Sequence, residues 1–203
     1  MSVEKFEPFV LEWIAFSKNP NHNLIEKSLK LAQILEYPEL DISKYVRKID
    51  EIGNSLKLKI GNKKNPTYLI SMLNEHFFEE YGFTGDDDDY YDPGNNFLNL
   101  VLDKKTGIPI TLSIIYAKIA SYIGLDLRIV GFPGHVIVKL DDEIILDPFY
   151  QGRLLSHDDL EEILYRSFGD SIELIPEYLN KATTEQILTR LLRNLKNAYT
   201  QSY

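Results

Sequence analysis

The chain has 203 residues, of which 44% are hydrophobic and 26% are charged, proportions typical of a folded globular protein. Its formal net charge of −9 argues against general nucleic-acid binding, because no basic excess is available to displace phosphate counterions. The same charge favours basic or neutral protein partners. The absence of cysteine excludes disulfides, thiolate metal sites and thiol nucleophiles.

Nothing in the sequence indicates a membrane or secretory protein. No apolar run reaches the roughly 18–20 residues that a transmembrane helix needs. The first residues are charged early and contain no apolar signal core. We therefore expect a cytoplasmic protein that binds no membrane, while the oligomeric state is left open.

Residues 1–83 are predicted to form an N-terminal helical region. Asp41 is suited to the N-cap of the third helix, and Gly61 to its end. We interpret the apolar stripes as core-facing helix surfaces. The stripes are Phe6 to Phe16, Leu24 to Leu35, Ile42 to Ile60 and Tyr68 to Phe78.

Residues 84–96 are predicted to form an acidic loop. Asp86–Asp89 are four adjacent carboxylates, followed by Pro93 and Gly94. Oxygen ligands of this kind suit a divalent cation, but the run lacks the alternating spacing, central glycine and distal glutamate of an EF-hand loop. The interpretation we favour is a solvated acidic loop.

Residues 97–203 combine helices with short strands. A helix is predicted from about Ile110 to Ile123, with Pro109 in its first turn and Gly124 past its end. Runs rich in valine, isoleucine and leucine then predict strands. These runs are Leu127–Val130, Val136–Leu140 and Ile144–Leu146. Capping patterns beginning at Ser156 and at Thr183 predict two closing helices, so the fold class is α+β.

His135 and Asp147 flank the second and third predicted strands and are the candidate catalytic residues. A histidine acts as a base when its other ring nitrogen is fixed by an acceptor such as aspartate. Side chains alternate along a strand, so a three-residue turn at 141–143 places both on one face, whereas a two-residue turn separates them. In the ordinary alternative, Asp147 only forms a turn and His135 is only a loop residue.

The other histidines do not indicate a metal site. His22, His76 and His157 have no ligand partners at a spacing such as that of the HExxH motif. We expect no metal and no cofactor.

Several motifs together resemble the SirB-type branch of the transglutaminase-like superfamily over most of residues 40–200. The segments that carry the resemblance are Asn96–Asn99, Gly107–Ser113, Gly131–His135, Asp147–Phe149, Gly152–Leu155 and the run containing Leu188, Arg190, Asn194 and Lys196. The resemblance implies a papain-like core: a helix that carries the nucleophile at its start packs on an antiparallel sheet that carries histidine and then aspartate.

The resemblance places the nucleophilic cysteine of active members at about Pro109–Thr111, where this chain has none. His135 and Asp147 match the other two members of that triad. A non-catalytic role in binding, scaffolding or regulation, with a protein partner, is therefore the function we expect.

Two alternatives remain open. In the first, the chain is a hydrolase or acyltransferase in which Thr111 or Ser113 is the nucleophile and His135 is its base. Both hydroxyls also suit ordinary capping at a helix start, with Thr111 the nearer to it. In the second, His135 and Asp147 form only a structural hydrogen bond.

Overall fold

The computed structural model describes residues 7–201, in which helices surround a small antiparallel sheet. The helices are α1 (Glu7–Lys18), α2 (Leu24–Leu35), α3 (Ile42–Ile60), α4 (Pro66–Asn74), α5 (Leu98–Lys104), α6 (Pro109–Ser121), α7 (His157–Phe168) and α8 (Thr184–Gln201). The strands are β1 (Thr84–Gly85), β2 (Thr106–Gly107), β3 (Arg128–Val130), β4 (Ile137–Lys139), β5 (Ile145–Asp147) and β6 (Arg153–Leu154). The predicted α+β class is confirmed.

The four predicted N-terminal helices are present, although Phe6 lies outside the described residues. Asp41 caps α3 as expected, because its Oδ1 accepts a hydrogen bond from the backbone N–H of Lys44 at 3.1 Å. Gly61 follows the last residue of α3 with a φ of 62°, a conformation that favours glycine. Local capping chemistry therefore determines the limits of this helix.

A π-helical segment at Glu75–Glu80 continues α4. The apolar spacing in the sequence does not indicate this π-helical geometry. The wider turn buries the His76 side chain. Its Nε2 lies 3.1 Å from the carbonyl oxygen of Ile52, and its Nδ1 lies 2.6 Å from a carboxylate oxygen of Glu80. His76 is thus a hydrogen-bonded core residue that links α3 to this segment.

Strands β3, β4, β5 and β6 form one antiparallel sheet in sequence order. Its fourth strand, β6, was not predicted. A separate pair, β1 and β2, runs parallel and joins the two ends of the segment that contains the acidic loop. Short strands of two residues carry little hydrophobic alternation, so the sequence pattern does not reveal them.

Helix α6 lies at the centre of the molecule and packs on β3 and β4. Pro109 begins the helix, which ends at Ser121, two residues before the predicted Ile123. Gly124, with a φ of 81°, lies three residues beyond that end. Because buried residues occur on every side of α6, it shows little of the one-sided pattern of a surface helix.

The main hydrophobic cluster runs from α2 and α3 through α6 to α8, so the N-terminal helices share their core with the sheet. The division into 1–83, 84–96 and 97–203 stays a prediction. No helix within residues 7–201 combines the length and the apolarity required to span a bilayer.

Candidate functional site

His135 and Asp147 are hydrogen-bonded to each other. The distance from His135 Nε2 to Asp147 Oδ2 is 2.9 Å. The Asp147 side chain is 1% exposed and that of His135 is 13% exposed, so the carboxylate is buried beneath the ring. An ionised carboxylate can only accept a hydrogen bond, which assigns the N–H of a neutral imidazole to Nε2 and leaves Nδ1 as an acceptor.

The β4–β5 hairpin brings the two residues together in the way the three-residue turn predicts. Lys139 pairs with Ile145, and the Leu140 N–H donates to the Ile144 carbonyl at 3.0 Å. Continuing this register past β4 sets His135 opposite Phe149 and puts Asp147 diagonally on the same face. The geometric condition is confirmed, while a catalytic role for the pair stays a prediction.

Both oxygens of Asp147 are engaged, so its orientation is fixed. Oδ2 bonds to His135, and Oδ1 accepts from the backbone N–H of Phe149 at 3.0 Å. The Asp147 carbonyl also accepts from the Gly152 N–H at 2.8 Å. Asp147 therefore organises the turn that follows β5 as well as the histidine ring.

Aromatic side chains surround the His135 ring. Phe149 meets it edge-on with ring centroids 6.1 Å apart, and Tyr150 lies nearly parallel to it at 6.3 Å. Tyr90, from the acidic loop, contacts Phe149 with centroids 6.1 Å apart. Burial, followed by the nearby carboxylates of Asp87 and Asp147, raises the pKa of Tyr150 above its ordinary value.

These tyrosines were not singled out from the sequence. The only signal in the sequence is that Tyr90 is followed by a second tyrosine and that Phe149 and Tyr150 come two and three residues after Asp147. Their proximity to His135 depends on how the loop folds over the hairpin.

Thr111 is fully buried, and its hydroxyl is occupied by local bonds. Its Oγ1 lies 3.0 Å from the carbonyl oxygen of Asn95 and 3.1 Å from that of Ile108, and it accepts from the Ile108 N–H at 3.2 Å. Thr111 thus connects the start of α6 to the end of the acidic loop. No bond joins it to His135 within residues 7–201.

Ser113 is also fully buried, and its Oγ has no hydrogen-bond partner among the described residues. Two residues along an α-helix correspond to a rotation of about 200°, so Ser113 and Thr111 point to nearly opposite sides of α6. At most one of these hydroxyls can face the hairpin. The structure therefore brings together His135 and Asp147, and leaves both candidate nucleophiles without a bond to the imidazole.

The acidic loop is held at its two ends and exposed in its middle. Asp86 Oδ1 accepts from the Asp89 N–H at 2.9 Å, and Asp86 Oδ2 accepts from the Asn95 side-chain amide at 2.9 Å. Asp87, Asp88 and Asp89 are exposed. Asp86 thus serves as a turn former, which agrees with a solvated loop.

One group of three side chains with metal-ligating atoms comes close together in the part of the chain that the structure describes. It consists of His157, Asp158 and Glu161 in the exposed first turns of α7. Exposed acidic groups of this kind are stable without an ion, and they lie on a different element from His135. The expectation of no metal stays a prediction.

Arg190 connects α8 to the turn that carries His135. Its Nη1 donates to the Phe132 carbonyl at 2.8 Å, and that carbonyl also accepts from the His135 N–H at 3.1 Å. Burial lowers the pKa of Arg190 below its ordinary value, and Tyr90 partly offsets this effect. Sequence reasoning identified Arg190 only as part of a resembling motif, because α8 is distant in the chain from the hairpin.

The sequence profile of the transglutaminase-like superfamily matches residues 43–193. The match runs from α3 into α8 and therefore contains α6, His135 and Asp147. No solved structure matches the chain significantly.

Curated relatives extend the same similarity. A UPF0162 protein of Xylella fastidiosa is 33% identical over 170 residues, covering 81% of this chain and 60% of the relative. A UPF0162 protein of Pseudomonas aeruginosa is 30% identical, covering 76% of this chain and 57% of the relative. Human F-box only protein 21 is 29% identical, covering 72% of this chain and 26% of the relative. The chain thus spans about 60% of the length of the first relatives it matches.

Proposed function

The chain belongs to the transglutaminase-like superfamily, and from that premise we propose that it acts without catalysis, by binding or regulating a protein partner. We place it in the SirB-type branch on the motifs that surround α6 and the β4–β5 hairpin. The observation that carries the proposal is an ordered His135–Asp147 pair in a chain with no cysteine.

The start of α6 offers no replacement for the thiol. In the expected position, Pro109 and Ile110 have no nucleophilic atom, and the Thr111 hydroxyl lies within hydrogen-bond distance of two carbonyl oxygens, either of which can accept its proton. Active members of the superfamily rely on a thiolate, which the positive end of a helix dipole stabilises. Without a thiol, the His135 imidazole has no readily ionised nucleophile from which to take a proton.

A hydrolase or acyltransferase with a hydroxyl nucleophile is the alternative. It requires Thr111 or Ser113 to come within hydrogen-bond reach of His135 and to be accessible to a substrate. Both side chains are fully buried. Thr111 would also have to give up bonds that cap α6, and therefore this alternative is the less favoured.

In the non-catalytic proposal the pair has a positioning role. The bonds of Asp147 hold His135 and the turn after β5, and the aromatic rings of Phe149 and Tyr150 lie against the imidazole. Tyr150 is 46% exposed, and an exposed aromatic side chain beside a fixed polar group is typical of a recognition surface. A cytoplasmic location and a protein partner belong to this same proposal.

Labelling with electrophiles tests the proposal directly. The full chain is treated with a panel of fluorophosphonates and β-lactones, which acylate or phosphonylate activated hydroxyls, and modified peptides are identified by mass spectrometry. We expect no modification of Thr111 or Ser113. The chain should also retain its fold when His135 is replaced by alanine, as judged by circular dichroism.

The matched control is His157→Ala, which removes an exposed imidazole from α7. Labelling of Thr111 or Ser113 that disappears in His135→Ala and persists in His157→Ala overturns the proposal. Labelling that is equal in both variants reflects nonspecific reactivity and leaves the non-catalytic role standing.

A further inference from the structure

A groove of about 810 Å³ lies between α8 and the edge of the sheet. Its walls are formed by α8, by the Gly131–Val136 segment and by the chain leading into α8. The Lys181 backbone forms an antiparallel bridge with Val130, so the edge of β3 is already paired where the groove begins. The volume is within the range of roughly 300–1,000 Å³ that is common for ligand clefts.

Cationic side chains of the groove lack acidic partners. Lys181, Arg190 and Arg193 line it, and among residues 7–201 none of the three has a carboxylate oxygen within 4.0 Å. Several lysines elsewhere in this acidic chain have close carboxylate partners, as Lys48 has in Asp103 at 2.7 Å. The groove is therefore a local exception to the net charge of −9.

Two carboxylates also line the groove, those of Glu177 and Glu185. The Glu185 carboxylate is bound by its own backbone N–H and by the Thr183 side chain, which lowers its pKa. It is therefore engaged at the start of α8, and Glu177 is the other acid in the lining.

The remaining lining combines apolar and amide groups. The buried side chains of Ile110, Ile129 and Val136 form an apolar part, and they belong to the core of the molecule. Asn180, Asn194 and Asn197 offer amides that can donate to and accept from a peptide backbone. A ligand that matches this lining carries carboxylates, apolar side chains and backbone amide groups.

We infer that this groove binds an acidic segment of a protein partner, with Lys181, Arg190 and Arg193 contacting its carboxylates. The inference rests on the binding role proposed above and specifies its ligand. An extended segment alternates its side chains, so acidic residues can face the cations while apolar residues face the isoleucines. Because Arg190 also holds the Phe132 carbonyl, the occupied groove adjoins the turn that carries His135.

Nuclear magnetic resonance titration tests the inference. The ¹⁵N-labelled chain is titrated with a short peptide of alternating glutamate and leucine, and with the same peptide containing glutamine in place of glutamate, at about 0.15 M salt. We expect chemical-shift changes clustered on α8 and on Gly131–Val136. The glutamine peptide should bind at least about tenfold more weakly.

The decisive variant is Lys181→Glu/Arg193→Glu. Both side chains are exposed and make no described side-chain bond, so charge reversal leaves the packing intact. Its matched control is Lys57→Glu/Lys64→Glu, which changes the net charge equally at exposed lysines outside the groove. The groove variant should weaken peptide binding by about tenfold or more, and the control by less than about twofold.

Three results overturn the inference: shifts that do not cluster on the groove, equal binding by the groove variant, or displacement of the peptide by citrate at the same carboxylate concentration. The last result identifies a site for small carboxylates instead of a protein segment. If the peptide does not bind in the groove and electrophiles do not label Thr111 or Ser113, the groove inference fails but the non-catalytic proposal stands. Labelling that depends on His135 refutes that proposal whether or not the peptide binds.

Discussion

Gly134 and Ser167 are packed so closely that no side chain fits at position 134. A Cβ atom added to Gly134 would lie 2.1 Å from Ser167 Oγ and 2.7 Å from Ser167 Cβ. Gly134 also has a φ of +76°, a conformation that other residues rarely adopt. Helix α7 thus constrains the residue immediately before His135.

Gly134→Ala should therefore destabilise the chain more than the same change at an open glycine. Gly124 is the matched control, because its φ is +81° and nothing lies within 4 Å of an added Cβ. Gly124→Ala should lower the free energy of unfolding by about 1–2 kcal/mol, the cost of the left-handed backbone. Gly134→Ala should cost about 1–3 kcal/mol more, because of overpacking.

Urea unfolding of both variants measures this difference. Adding Ser167→Gly to Gly134→Ala should recover the overpacking part and leave the backbone part. Equal losses for Gly134→Ala and Gly124→Ala would show that α7 does not restrict the His135 turn.

Asp147→Asn should change the tautomer of His135. The introduced amide can keep its oxygen toward the Phe149 N–H only by directing its NH₂ group toward His135 Nε2, which must then lose its proton. The imidazole should move its proton to Nδ1. At pH 8, where an ordinary imidazole is neutral, ¹⁵N chemical shifts of the ring distinguish the two tautomers.

His157 is the internal reference in that experiment, because it is exposed on α7 and its carboxylate neighbour is Glu161, not Asp147. Its ring shifts should be unchanged. An unchanged His135 tautomer in Asp147→Asn would mean that the amide has rotated or that the pair has separated.

Much of the site could be predicted because its geometry depends on local signals. A three-residue turn at 141–143 is sufficient to place His135 and Asp147 on one face. The spacing of the two apolar runs allows that turn, and the register of the hairpin excludes the two-residue alternative. The limits of α3 at Asp41 and Gly61 likewise follow from capping and backbone preferences of single residues.

The surroundings of the pair could not be predicted, because they depend on contacts between distant segments. Arg190 reaches Phe132 from another helix, and Asn95 reaches Thr111 across α5. Neither contact has a periodic or capping pattern of its own. The π-helical turn that buries His76 is likewise a result of packing against α3.

Thr111→Val should show that the Thr111 hydroxyl stabilises the start of α6. Valine keeps the shape but leaves the Ile108 N–H and the Asn95 carbonyl without their partner, at a cost of about 1–3 kcal/mol. Hydrogen exchange of the Ile108 amide should accelerate by about tenfold or more. Thr111→Ser, which retains the hydroxyl, is the matched control and should leave Ile108 protected.

Exchange at Ile108 that is equal in the two variants would show that the Thr111 hydroxyl does not cap α6. The hydroxyl would then be available for another role, and the nucleophile alternative would gain support.

Glu80→Gln should flatten the dependence of stability on acid pH. The hydrogen bond from Lys59, followed by the contact with His76, lowers the pKa of Glu80 below its ordinary value of 4.5 in the folded chain. A carboxylate with a lowered pKa contributes stability that is complete above its unfolded pKa and is lost as pH falls through the folded pKa. The parent chain should therefore lose stability below about pH 4.5 more steeply than Glu80→Gln.

Urea midpoints measured across this pH range test the effect, with Glu79→Gln as the matched control. Glu79 is exposed and has no described ion pair, so this variant removes the same charge without removing a contact to Lys59 or His76. If Glu80→Gln follows the parent curve as closely as Glu79→Gln does, Lys59 and His76 do not stabilise the Glu80 carboxylate in solution.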